Sequence, residues 1–136
     1  MKQLFLCDFE NETNKCLIDR IVDEYKVDKE EVTKYHILIA YQSEGDWGCD
    51  SSSWFLLKDN DENLFEVSGG HCSCYGFEGQ WEPQESSWAY LLSDKFYFNS
   101  GGYDDQRDLS KELIAKFIKE NAPKRKRSKL NDKSVV

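Results

Sequence analysis

The sequence predicts an α+β fold: a central, mostly antiparallel sheet of four or five strands flanked by an N-terminal and a C-terminal helix. Apolar residues recur at spacings of three and four near both ends of the chain, β-branched and aromatic runs of strand length fill its middle, and a polar turn separates two of those runs. A chain of 136 residues fits one domain and buries roughly two-thirds of the surface its unfolded form exposes.

Near the start, Thr13 is placed to cap a helix carrying Leu17, Ile18, Ile21, Val22 and Tyr25 on one apolar stripe. Cys16, beside that stripe, is expected to be a small buried filler. Asp28-Lys29-Glu30-Glu31 resembles a capping box and starts one short helical turn. Residues 35–41, rich in Ile, Tyr and Leu, form a well-buried strand that includes His36. Residues 53–58 and 64–67 are two more strands, joined by Asp59-Asn60-Asp61-Glu62-Asn63 as a hairpin turn. The glycine-rich run that follows is expected to supply the next strand. Beyond Pro83, Trp88, Leu91 and Leu92 share one helical face, with Pro83 near the helix start. Phe96-Tyr97-Phe98 reads as a short strand, and Gly101-Gly102 breaks the chain. Ser110 then caps a last helix, with Leu109 and Ile114 as a hydrophobic staple. Its stripe is Leu113, Ile114, Phe117 and Ile118, and Pro123 closes it.

Charge divides the chain in two. After position 122, six basic side chains stand against Asp132, a local net of +5. With the whole chain at −8, residues 1–122 therefore carry −13. The expected organisation is a single acidic domain over 1–122 and a disordered basic tail over 123–136. An acidic body repels nucleic acid and speeds encounter with a basic protein. No apolar run approaches the ~18 to 20 residues of a membrane span, and the opening apolar run is too short for a signal peptide. A cytoplasmic location is expected.

Residues 69–83 gather His71, Cys72, Cys74, Tyr75, Phe77, Glu78, Trp81 and Glu82 among four glycines. On a strand, Cys72 and Cys74 share one face while His71 points to the other, which argues against all three binding one ion. Only the distant Cys49 and His36 could complete a tetrahedral set. The five cysteines are odd in number and irregular in spacing, the pattern of reduced structural thiols. No metal, no cofactor and no disulfide is expected. A nucleophilic thiol would need a base, and strand geometry directs His71 away from Cys72. The 59–63 turn is not a calcium loop, because Leu64 and Gly70 occupy the positions that need Gly and Glu.

Two loops each set a tryptophan among carboxylates and glycines: Glu44, Asp46 and Trp47 in one, Glu78, Trp81 and Glu82 in the other. Those six residues are the candidate partner contacts, since an aromatic anchor ringed by polar groups is how interaction hot spots are built. Trp47 and Trp81 read equally well as rings folded back to cap the sheet.

The run from Gly70 to Pro83, preceded by Trp54-Phe55-Leu56-Leu57 and Leu64-Phe65-Glu66-Val67, resembles small uncharacterised proteins of bacteriophages and prophages that carry an H-C-S-C-Y-G-x-E-G-Q-W stretch. The resemblance covers residues 41–92, leaving out the terminal helices and the tail, and it brings no catalytic residues. It implies a phage setting and, by analogy with small acidic phage proteins, a non-enzymatic inhibitor of a host defence protein that handles nucleic acid. A basic host protein is the partner expected. Two other readings stay open: an immunity protein neutralising a toxin, and a small zinc- or thiol-dependent enzyme acting on a nucleotide or signalling molecule.

Overall fold

The computed structural model describes residues 3–44, 51–71, 76–96 and 106–123. In chain order these form β1 (Leu4–Cys7), α1 (Asn14–Tyr25), α2 (Lys29–Thr33), β2 (His36–Glu44), β3 (Ser51–Lys58), β4 (Leu64–His71), β5 (Gln84–Ser86), α3 (Trp88–Leu91) and α4 (Gln106–Asn121). The strands make one sheet in the order β1-β2-β3-β4-β5. β1 pairs parallel to β2 through the α1–α2 crossover, and the other pairings are antiparallel. The α+β class with a mostly antiparallel sheet holds.

Local chemistry accounts for the elements. Thr13 Oγ1 accepts the Cys16 N–H at 3.1 Å, and Lys26, in the left-handed region at φ 54°, ends α1 by donating its N–H to the Val22 carbonyl. The β3–β4 turn is organised by Asp59, whose Oδ1 accepts the N–H groups of Asp61 and Asn63, both at 2.9 Å. The Asn63 backbone bond, chief among these, holds the Asp59 carboxyl below the usual carboxylate range.

Both faces of the sheet are covered. Along β3, Trp54 and Leu56 pack into one cluster with Leu91 of α3 and Ile114, Phe117 and Ile118 of α4. Phe55 and Leu57 alternate into the other, with Leu17, Ile21 and Tyr25 of α1 and Val32 of α2. Phe55, Leu56 and Leu57 are fully buried, each contributing roughly 1.5–3 kcal/mol. In β2 the register shifts between Ile37 and Ile39. Leu38 is the surplus residue, and both it and Ile39 join the α4 cluster while Ile37 and Ala40 join the α1 cluster. The bulge explains why residues 37–41 show no alternation.

Several expectations are corrected. Of the glycine-rich run expected to supply the next strand, Gly69, Gly70 and His71 extend β4, residues 72–75 lie outside the described residues, and β5 begins only after Pro83. The helix expected just past Pro83 starts at Trp88, where Ser87 Oγ accepts the Tyr90 N–H at 3.1 Å. Leu91 is buried but Leu92, placed on the same face from sequence, is 52% exposed. Ser110 is not a cap, since α4 begins at Gln106 and Ser110 lies inside it, buried against Cys7 of β1. Cys16 is exposed because it sits on the solvent side of α1. Asp28 precedes α2 without a side-chain capping bond. Phe96 is not in a strand. Tyr97, Phe98, Gly101, Gly102, the Leu109 side chain and the basic tail from 124 lie outside the described residues.

A candidate acidic interaction cleft

The candidate site grows from the strip of chain that joins β4 to β5. Phe77 is buried and stacks on Tyr25 of α1, ring centroids 4.9 Å apart and 16° from parallel. Gly79, at φ 76°, turns the chain where a side chain would be strained, and its N–H donates to the Tyr25 carbonyl. Gln80 ties the strip back to the sheet: its Oε1 accepts the Gly70 N–H at 2.7 Å, and its Nε2 donates to the Gly76 carbonyl at 3.2 Å. Trp81 stands edge-on to Tyr25 and Phe55, at centroid distances of 5.7 and 5.4 Å.

Held this way, the strip walls a cleft of about 800 Å³ whose opposite side is β4, β5 and the start of α3. Three glutamates line it: Glu66, Glu82 and Glu85. Glu66 is half-buried and fixed, its Oε1 accepting Trp54 Nε1–H at 3.0 Å and its Oε2 accepting Ser86 Oγ–H at 2.7 Å. Glu82 and Glu85 are exposed. The remaining wall is polar, with Gln80, Gln84 and the ring of Tyr90. No lysine or arginine is among the described residues lining it. Such a surface accepts hydrogen bonds and receives cationic groups.

Deeper, the Tyr25 hydroxyl bonds Ser53 Oγ. Burial pushes the Tyr25 phenol well above its ordinary value, against the lowering effect of the Ser53 bond, with Glu24 adding to the rise.

Of the six residues singled out from sequence, the structure brings Glu82 into the cleft and places Glu78 exposed on the same strip. Trp81 is half-buried with its ring in the α1-side core. Glu44 ends β2; its side chain, and Asp46 and Trp47 altogether, lie outside the described residues, as do Cys49, Cys72, Cys74 and the His71 side chain. Among the described residues no three His, Cys, Asp or Glu side chains converge as metal ligands would, and His36 is exposed at the start of β2. Sequence reasoning missed Glu66, Glu85 and Tyr90. Glu66 carried a signal, being the one charge in the apolar run Leu64-Phe65-Glu66-Val67.

Fold and cleft together define an α+β protein with an acidic recess at one end of its sheet, and no helix among the described residues is long and apolar enough to cross a membrane. No family model, no curated protein and no solved structure matches the chain.

Proposed function

We propose that this chain is a non-enzymatic binding protein that receives a basic protein partner in its acidic cleft. The observation that carries the reading is the lining: Glu66, Glu82 and Glu85 with no basic side chain among the described residues facing them, on a body of charge −13. Glu66 is preorganised by two hydrogen bonds, so binding need not first order it. Glu82 and Glu85 make the rim, and Glu78 is exposed beside it on the same strip. Glu44, Asp46 and Trp47 extend the contact in the proposal, and Trp81 supports the strip from beneath.

In its finer form, which rests on the resemblance to phage proteins, the partner is a host defence protein that handles nucleic acid. The carboxylates occupy the groove its phosphates would fill. The location is then the bacterial host cytoplasm.

The test is a pull-down of host nucleic-acid-binding proteins, followed by affinity measurement with Glu78→Gln, Glu82→Gln, Glu85→Gln as a triple variant. These are exposed positions, so the circular-dichroism spectrum should not change. Partner affinity should fall at least about tenfold, mostly through slower association at low salt. Equal affinity of the triple variant would remove the cleft from the interface.

A further inference from the structure

The described residues end at Pro123, close to the acidic cleft. The last turn of α4 is pinned: Asn121 Nδ2 donates to the Phe117 carbonyl and the Ala122 N–H to the Ile118 carbonyl, both at 2.9 Å, and Pro123 after them is exposed. Ile118 and Lys119 wall a depression whose facing side is Leu91 and Leu92, at the end of α3. Tyr90, the residue before Leu91, lines the acidic cleft. The end of α4 and the cleft therefore lie on either side of α3, a single helical turn. Packed helices stand about 8–10 Å apart, so the path from Pro123 past α3 into the cleft is on the order of 20–25 Å.

The chain beyond that point is the one basic stretch of the sequence. Lys124, Arg125, Lys126, Arg127, Lys129 and Lys133 stand there against Asp132, a net of +5. A chain advances at most ~3.3–3.6 Å per residue, which puts Lys129 within about 20 Å of Pro123 and Lys133 within about 35 Å, before their own side chains are added. The cleft is within that reach. It offers Glu66, Glu82 and Glu85 with no basic side chain among the described residues lining it, and Glu66 is already held in place by Trp54 and Ser86.

We propose that the chain's own basic segment occupies the acidic cleft in cis, with Lys129 and Lys133 among Glu66, Glu82 and Glu85, so that a basic partner enters only by displacing it. The inference rests on the reading of the cleft as a receiver of cationic groups, and it adds the regulation of that site. Tethering makes the occupant effective: cations held on a short length of chain meet the cleft at a concentration on the order of millimolar, above that of a separate protein. Exposed ion pairs are worth little one by one and are screened by salt, so the segment excludes weakly basic proteins and yields to a partner with a more complete basic surface.

The experiment uses the full chain and, as a basic probe, a fluorescein-labelled peptide of residues 124–136, read by fluorescence anisotropy at low salt. Lys129→Gln with Lys133→Gln should bind the peptide about fivefold more tightly than wild type, because its own segment no longer competes. Lys15→Gln with Lys29→Gln, at exposed positions of the α1 and α2 region, makes the same change in net charge and should stay within about twofold of wild type. A zero-length carbodiimide, which joins a lysine amine to a carboxylate with loss of water, should link Lys129 or Lys133 to Glu66, Glu82 or Glu85 within one molecule of dilute wild type, and about 0.5 M salt should suppress the link. An equal gain in both double variants overturns the proposal, since it reports only the net field, and so do crosslinks that join two copies. Peptide binding that Glu82→Gln with Glu85→Gln abolishes, but that Lys129→Gln with Lys133→Gln does not strengthen, keeps the cleft as a cation receiver and overturns its occupation in cis. Failure of the peptide to bind any form overturns both.

Discussion

Trp81→Ala separates a ring that packs from a ring that binds. Truncating a fully buried aromatic to alanine costs ~3–5 kcal/mol. Trp81 is half-buried, with two edge-on aromatic contacts, which scales the loss to about 2 kcal/mol. Its indole Nε1–H is buried and has no hydrogen-bond partner among the described residues, so removing it returns ~1 kcal/mol of desolvation cost. The net expectation for Trp81→Ala is a loss of about 1 kcal/mol, a fall in Tm of about 3–5 °C for a chain of this size. Trp81→Phe keeps most of the ring contact and deletes the orphaned donor, so it should stay within ~1 kcal/mol of wild type. Urea unfolding followed by circular dichroism reads both. An unchanged midpoint in Trp81→Ala, or a phenylalanine variant as damaged as the alanine one, would refute the packing argument. If partner binding then vanished from an intact fold, Trp81 would be a contact anchor after all.

Two further outcomes follow from the buried cluster around Tyr25. A Cβ added at Gly69 would sit 2.8 Å from Ser53 Oγ, 3.0 Å from the Tyr25 hydroxyl and 3.1 Å from Phe77 Cδ1, so Gly69→Ala should lose about 1–3 kcal/mol of stability by overpacking; a chemical-denaturation midpoint equal to wild type would show that the strip yields freely. The Tyr25 phenol is raised in the folded state, so the stability it contributes is complete below its unfolded pKa of ~10 and is lost as pH rises above that, at about 1.4 kcal/mol per pH unit. Wild type should therefore weaken more steeply than Tyr25→Phe between about pH 10 and pH 11, and parallel pH profiles of the two would contradict the assignment.

How much of this was legible depended on whether the determinant was local. Thr13 and the stripe of α1, and the Asp59 turn between β3 and β4, are each written within a few residues, and sequence reasoning found them. β1 was not found, because Leu4–Cys7 is too short to carry a pattern and its parallel partner lies in β2, beyond two helices. β5 reads Gln-Glu-Ser, with no strand propensity of its own. It is a strand because β4 offers it an edge, with Ser86 bonded to Glu66. Ser110 misled for the opposite reason, a capping residue type used inside a helix where the edge strand approaches it. The cleft was half-visible: Glu82 was chosen on composition, while Glu66 and Glu85 needed the β4–β5 register to be brought beside it.

The approach of Cys7 to Ser110 across 103 positions ties the first strand to the last helix, and this has a bearing on how the chain is made. At a synthesis rate of ~5–20 residues per second, β1 leaves the ribosome about ten seconds before the helix that covers it. Through that interval the sheet face carrying Leu38, Tyr41, Trp54 and Leu56 has no lid from α4. The nascent protein holds that apolar face without its α4 cover until Ile114, Phe117 and Ile118 are released, and a chain cut short before Gln106 leaves that part of the face open to any neighbour.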